Sequence, residues 1–438
     1  MVRKCIVILL DGLGDRSHPC LDHQTPLQAA HTPCLDRLAT MGANGLMQTM
    51  APGLAPPSEN AHFALFGYPA HEFPGRGLLE ALGADIPVQE NEVAILAHFV
   101  SLRRQHDQLI LTTNRPAASA REMAELVAAI DHFEHEGICC RFQPSHGRDG
   151  IVVLSGAVSP FVTDSDPLHA GEALMAPLPW QQAPDAPERR QKSARALHAY
   201  LAWCHHTLHT HPLNSTRQVA GQPAINGLVS QRPGQSRRPE SFKGRWGLRS
   251  LSIASGLVYW GLARYLDMAV EKVRDSTDPG LDLAQRLRVA IRADYDFVHV
   301  HSKAPDAAAH TKDPRTKVTA IEALDQGLAH VFDSLLDEQT MLVVTADHST
   351  PSSGPQVHSG EPVPICAVGP GIRRDLVHHF DEIHCAGGAL GHLRGRDFMP
   401  LVLNWLDRAK LQGLMDNDID RPYWPAARQP FMLDKEDE

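Results

Sequence analysis

Short, continuous apolar runs punctuate both ends of the chain. Residues 4–10 (KCIVILL) form the first, with the unbroken hydrophobicity of a strand buried on both faces of a parallel sheet. Runs of the same kind recur late, at 296–302 (DFVHVHS), 341–347 (MLVVTAD) and 364–370 (PICAVGP). Helical patterns lie between them, among them 315–335 (RTKVTAIEALDQGLAHVFDSL). A further helix is predicted over 32–41 (TPCLDRLATM), with Thr32 and Pro33 as cap and first-turn residues. Strands alternating with helices in units of about 30 residues predict an α/β fold with a doubly wound, mostly parallel sheet.

The middle of the chain has a different rhythm. Strands are predicted over 92–102 and 107–113, a helix near 119–131, and further strands near 138–143 and 150–154. Two stretches, APLPWQQAPDAPE (176–188) and HPLNSTRQVAGQPAING (211–227), read as loops and bracket an amphipathic helix at 190–209. The change of pattern predicts an α+β domain, residues 83–241, inserted into a core made of 1–82 and 242–438. No internal repeat is present.

Composition narrows the function classes. A formal net charge of −10 argues against nucleic acid as a partner, because that footprint is basic. An acidic protein can still take an anionic substrate where bound metal ions supply the local positive charge. No apolar stretch reaches the roughly 18 residues of a membrane span. The first run, CIVILL, is followed at once by Asp11 and by no small-residue cleavage site, so it reads as a buried strand and not a secretory signal. The eight cysteines are scattered, with only Cys139 and Cys140 adjacent and no CxxC spacing, which fits reduced thiols in the cytoplasm.

The candidate chemistry sits where the apolar runs end. Asp11 closes the first run, in DGLGD; Asp306 and His310 follow DFVHVHS, in HSKAPDAAAH. Asp347 and His348 end MLVVTAD, in TADHST, and His358 precedes the next predicted strand, in HSGEPVP. Ligands of open α/β sheets bind at the carboxyl ends of the strands, so three strands deliver carboxylate and imidazole groups to one rim. Each piece has an ordinary alternative. Among 26 histidines the Asp-x-x-x-His spacing recurs at Asp131 and His135 with no strand before it, and an aspartate after a strand can simply begin a turn. Their convergence is what calls for metal. Mixed carboxylate and imidazole ligands without thiolates favour Mn²⁺ or Zn²⁺ over Mg²⁺.

Ser58, in APPSENAHFALFGY, stands directly before a helical pattern. It can serve as a plain N-cap. The same position also places its oxygen where a helix N-terminus favours an anion, and a metal on that oxygen would make it a nucleophile near neutral pH.

Taken in order, DGLGD, TPLQAAHTPCLDRLA, PSENAHFALFGY, GRGLLEALGADI, TDSDP (163–167), HPLN (211–214), ESFKGRWGL (240–248), KAPDAAAH (303–310), TADHST, HSGEPVPICAVGPGI and RGRDFMPLVLNWL resemble the archaeal-type cofactor-independent phosphoglycerate mutases of the alkaline phosphatase superfamily. The resemblance spans nearly the whole chain. It implies an alkaline-phosphatase-like core and two divalent metal ions, Mn²⁺ first, with Zn²⁺, Mg²⁺ or Co²⁺ as alternatives. One ion would rest on Asp306, His310 and His358, the other on Asp11, Asp347, His348 and the Ser58 oxygen. It further implies a phosphoserine at Ser58, through which 3- and 2-phosphoglycerate interconvert while the inserted domain closes over a small phosphorylated substrate. Lys243 would neutralise phosphoryl charge; Arg115, Asp166 and Arg232 would hold the substrate. The chain departs from the family where Arg-Ala-Gly-Arg is replaced by Arg115-Pro116-Ala117-Ala118, and Ser145-His146-Gly147-Arg148 is only a loose match to a family His-Arg pair. The missing arginine keeps a second reading open: a metal-dependent phosphohydrolase or transferase acting on another small phosphate or phosphonate.

Overall fold

The computed structural model describes residues 3–425 and 428–432. In chain order its strands are β1 (Lys4–Leu10), β2 (Ala43–Gln48), β3 (Val93–Gln105), β4 (Gln108–Asn114), β5 (His132–His135), β6 (Ile138–His146), β7 (Asp149–Ser155), β8 (Gly227–Gly234), β9 (Ser250–Ser255), β10 (Ala269–Val273), β11 (Phe297–Ser302), β12 (Thr340–Thr345), β13 (Val363–Val368) and β14 (Gly391–Arg394). They form two sheets, and the chain divides into two compact units, one for each sheet.

The first unit comprises Met1–Phe73, Pro239–Gly256 and Ala263–Glu438. Its sheet has the order β10-β9-β11-β1-β12-β13-β2-β14. The fold is α/β and the sheet mostly parallel, as the alternation of elements implied; only β13 runs antiparallel to its neighbours, β12 and β2. β1 is central and buried from Cys5 to Leu10, which is why its sequence carries no alternation. The helix expected over 315–335 is two pieces, Pro314–Ala329 and Phe332–Leu335, because Val331 leaves helical geometry at ψ 0°.

The second unit comprises Pro74–Arg238 with Leu257–Leu262. Its antiparallel sheet has the order β4-β3-β7-β6-β5, with β8 also paired to β3. Val93, Ile95, Ala97 and Phe99 alternate along β3 and pack with Leu197, Tyr200 and Cys204 of the helix Pro187–His209. Tyr200 keeps its hydroxyl satisfied by donating to the Ile130 carbonyl at 2.8 Å. The stretch 211–227, expected as loop, contains the helix Pro212–Val219. Pro212 occupies its first turn and the His211 ring accepts from the Leu213 amide, a start signal that the surrounding small polar residues obscure. The helix Arg76–Gly83 also belongs to this unit and not to the core segment 1–82. Its glycines let backbones touch: a Cβ at Gly77 would lie 2.1 Å from the Ala94 carbonyl oxygen, and one at Gly83 1.9 Å from that of Leu257. Among the described residues no helix is long and apolar enough to cross a membrane.

Two helices of the first unit, Pro279–Arg292 and Pro314–Ala329, meet glycine to glycine. A Cβ on Gly327 would sit 2.2 Å from the Gly280 carbonyl oxygen. Alanine is the better helix former by about 1 kcal/mol, but forcing atoms into a closed contact costs about 1–3 kcal/mol. Gly327→Ala is therefore expected to lower the thermal midpoint, measured by calorimetry; an unchanged or higher midpoint would show that the crossing is loose.

Candidate metal centre

β1 lies between β11 and β12, parallel to both. Leu10 pairs with Ser302 and Leu9 with Thr345, so the three strands end level with one another. The residues beyond those ends are Asp11, the short helix Ala304–Ala309 carrying Asp306, and Asp347-His348. Backbone hydrogen bonds fix the meeting: Asp11 N donates to Ser302 O at 2.9 Å, and Asp306 N to Asp11 O at 3.0 Å. Gly12 is required between them. Its φ is +64°, and a Cβ there would stand 2.5 Å from Thr350 Oγ1 and 2.8 Å from Asp306 Cβ.

The carboxylates converge in burial, while His310 stands at an exposed rim. Asp11 and Asp347 are fully buried, and Asp306 and His348 nearly so. Donor atoms of Asp306, His310 and His358 lie within 4.8 Å of one another, as do those of Asp11, Asp306 and His348. Asp306 thus stands in both groups, at their junction. Asp347 directs Oδ1 to the amides of Gly12 and His348, each at 3.0 Å. Its Oδ2 lies 3.3 Å from His348 Nε2. Ser58 is the first residue of the helix Ser58–Leu65, with Pro57 at the N-cap. Its hydroxyl caps no amide of that helix; it sits 2.9 Å from His348 Nε2 and 3.4 Å from Asp11 Oδ1.

The neighbours set the histidine tautomers. Thr350 donates its hydroxyl to Asp306 Oδ1 at 2.9 Å, so its oxygen accepts from His348 Nδ1 at 3.1 Å. That leaves the Nε2 lone pair of His348 facing Ser58 and Asp11. His358 donates from Nδ1 to the Pro56 carbonyl at 2.8 Å, which turns Nε2 toward Asp306. Burial and then its neighbours tune the charges. Burial, only partly offset by Asp11, lowers His348 to about 4, keeping it neutral. Asp347 is pushed well above the usual carboxylate range by burial and then by the Asp11 charge. Asp11 is pushed up by burial but held well below that range by the His301 hydrogen bond and the nearby imidazoles.

This donor set fits divalent cations. It offers three buried carboxylates and inward-facing imidazole lone pairs, and Asp347 Oδ2 has no hydrogen-bond partner among the described residues. The wider comparisons agree. Residues 3–405 match the metalloenzyme superfamily. The chain is 37% identical over 435 residues to 2,3-bisphosphoglycerate-independent phosphoglycerate mutase 2 of Methanocaldococcus jannaschii, covering 96% of this chain and 97% of that one. The Pyrococcus abyssi enzyme of the same name is 32% identical, with 94% and 100% covered. The chain belongs to the cofactor-independent phosphoglycerate mutase family, within the metalloenzyme superfamily. The solved Thermoplasma acidophilum cofactor-independent mutase superposes with a TM-score of 0.64 at 27% identity, covering 92% of this chain and 100% of that one. A Pyrococcus horikoshii protein superposes with a TM-score of 0.75 at 26% identity, covering 94% and 100%.

The candidate substrate residues of this mutase-family chain fall in both units. Lys243 is exposed on the short helix Phe242–Trp246 of the first unit. No hydrogen bond or ion pair among the described residues joins it to the Asp11 group. Arg115, Asp166 and Arg232 lie in the second unit. Arg115 donates to Asp149 at 2.7 Å, and Asp166 accepts from Gln231 at 2.5 Å. The Arg232 amide donates to Asp164 at 2.6 Å. Buried His98 lies between the first two. Its Nε2 is 3.7 Å from Asp166 Oδ2, and burial and then the Arg115 charge lower its pKa. Ala118, where the family pattern has its second arginine, packs against the apolar core of this unit.

Several neighbours of the candidate centre escape sequence reasoning. His301 Nε2 lies 3.1 Å from Asp11 Oδ2, and His62 donates from Nδ1 to the Ser58 carbonyl at 2.8 Å. Both stand inside quoted motifs, and i,i+4 spacing from Ser58 was the available signal for His62. Lys317 gave no signal at all, lying in the first turn of a helix far along the chain. Completely buried, it donates to Gly14 O and Thr350 O, each at 2.8 Å, and to Asp15 Oδ2 at 3.1 Å. It ties the DGLGD turn to the segment after His348. Lys317→Met is expected to destabilise the fold by about 3–5 kcal/mol, because it strands the Asp15 carboxylate; Lys317→Met with Asp15→Asn should recover part of that. Denaturant midpoints for both variants check this, and a loss under about 1 kcal/mol in the single variant would contradict the strut.

Proposed function

We propose that this protein interconverts 3-phosphoglycerate and 2-phosphoglycerate by way of a phosphoserine at Ser58. Two divalent ions would be held by Asp11, Ser58, Asp306, His310, Asp347, His348 and His358. When bound, they would supply charge stabilisation for the transferring phosphoryl group and lower the pKa of the serine hydroxyl. Mn²⁺ is the favoured ion, because three of the seven ligands are imidazoles. The observation that carries the reading is the position of Ser58, at the positive end of a helix with its oxygen turned off the helix and into the carboxylate and imidazole group.

The reaction balances without water. The Ser58 oxygen bonds to phosphorus as the C3–O–P ester bond breaks, and the freed C3 oxygen takes a proton. The C2 hydroxyl then bonds to phosphorus, gives up its proton, and returns the Ser58 oxygen. The start of the Ser58 helix would favour the phosphoryl oxygens through its dipole. Lys243 would neutralise phosphoryl charge, and Arg115, Asp166 and Arg232 would hold the glycerate. Eight unpaired cysteines suit a cytoplasmic setting, and the proposed reaction would be a glycolytic one. The second reading, a phosphohydrolase on another small phosphate, draws support from Ala118, since a lost arginine fork weakens a carboxylate clamp.

Phosphorus NMR of the metal-loaded protein with 3-phosphoglycerate should show 2-phosphoglycerate; accumulation of free phosphate instead would favour the hydrolase. Ser58→Ala should reduce turnover by more than about 10³-fold, roughly 4 kcal/mol of barrier, with metal content near normal by elemental analysis. Residual activity within tenfold would rule out the phosphoserine. Chelation should abolish activity, and Mn²⁺ should restore it better than Mg²⁺; full activity in protein shown to be metal-free would defeat the reading.

A further inference from the structure

The antiparallel sheet of the second unit ends at β5, an edge strand of four residues paired only to β6. Successive side chains of a strand point to opposite faces. Phe133 turns to the core, where its ring stacks on Trp203 at 5.1 Å. His132 and Glu134 turn to the other face and are exposed. Glu134 pairs directly with Cys139 across the ladder, and His132 pairs with Arg141. His132, Glu134 and Cys139 are therefore neighbours on one outer face, fixed there by register.

Their donor atoms are spaced as ligands of one ion would be. Cys139 Sγ lies 3.5 Å from His132 Nδ1. One donor atom from each of the three lies within 4.8 Å of the other two. A sulfur at about 2.3 Å and a nitrogen at about 2.0 Å from one tetrahedral zinc ion stand about 3.5 Å apart. A thiolate, an imidazole and a carboxylate form a mixed, borderline-soft set that selects zinc-class ions over Mg²⁺ or Ca²⁺.

We propose that His132, Glu134 and Cys139 bind a zinc-class transition-metal ion at the edge of this sheet, with water in the fourth position. None of the three is a residue of the mutase-family centre, so the inference does not rest on the proposed activity. Binding releases the Cys139 thiol proton to solvent as the sulfur–metal bond forms, so affinity falls as pH falls. The ion would clip the four-residue edge strand to β6, protecting an edge that is otherwise open to pairing with another chain.

Cobalt distinguishes this site from the other, because only it offers a thiolate. Metal-free full-length protein titrated with Co²⁺ should develop a sulfur-to-cobalt charge-transfer band in the near ultraviolet. Cys139→Ser should lose the band and bind one ion fewer by elemental analysis. His132→Ala should weaken zinc binding by more than about tenfold, since even ligand-supporting residues contribute that much. Circular dichroism of each variant verifies folding. Absence of the band in the wild-type protein overturns the proposal. So does a band, or an ion count, that Cys139→Ser leaves unchanged.

Discussion

Asp11 can meet both Asp306 and Asp347 because β1 runs in parallel register between β11 and β12, and the three strands stop at one level. The rest of the centre follows from that alignment. A one-residue slip in any of the three would turn its terminal side chain to the opposite face, and no loop adjustment could restore it. The alignment is itself secured by hydrophobicity, since all three strands are buried almost throughout and tolerate no exposed alternative. The price is a crowd of carboxylates in a place without water. Two like charges about 4 Å apart repel by about 4 kcal/mol even at an effective dielectric near 20. The opposite pKa directions of Asp11 and Asp347 express that conflict: one carboxylate keeps its charge through imidazole contacts while the other is driven toward the protonated form. Bound metal ions would resolve it without giving up either carboxylate.

Around this conflict the chain places neutral, oriented groups in preference to further charge. His348 and His62 are held neutral by burial, with values lowered to about 4 and about 3. His62 and His301 pack ring edge to ring face at 5.1 Å, and His62 and His299 at 5.3 Å, as a layer beneath the site. Two buried cations nearby are turned to other partners: Lys317 donates to backbone carbonyls and Asp15, and Arg286 to the His301 carbonyl and Asp275.

The strands that carry the centre were legible because burial on both faces leaves an unmistakable apolar run, and the chemistry sits at the ends of those runs. Ser58 was legible because a helix start has a sequence signature. Elements whose stability comes from tertiary contact were not. β8 (Gly227–Gly234) has a polar, glycine-bearing sequence and is a strand only because β3 offers it a ladder. The helix Pro212–Val219 buries Asn214 and Arg217 in place of apolar residues, so no hydrophobic period marks it. Arg217 is satisfied there by Glu122 at 2.6 Å and by the Ala117 and Pro223 carbonyls. Lys317 and His98 were hidden for a related reason: a buried polar residue is defined by partners distant in sequence, and no local spacing announces them.

The segment Pro56-Pro57-Ser58 shows how much orientation three residues can impose. Neither proline has an amide hydrogen, so the segment brings carbonyls into the site without donors that would compete for its carboxylates. The Pro56 carbonyl takes the Nδ1 proton of His358 and so decides which nitrogen of that ring faces Asp306. Pro57, extended at φ −65° and ψ 149°, begins the helix and receives the amides of Asn60 and Ala61 on its carbonyl. With Pro57 occupying the cap, Ser58 is relieved of capping, and its hydroxyl is free to point at His348 and Asp11. A serine one position earlier would hydrogen-bond its own helix and face away from the carboxylates. The placement of this hydroxyl thus depends on which residue caps the helix as much as on the serine itself.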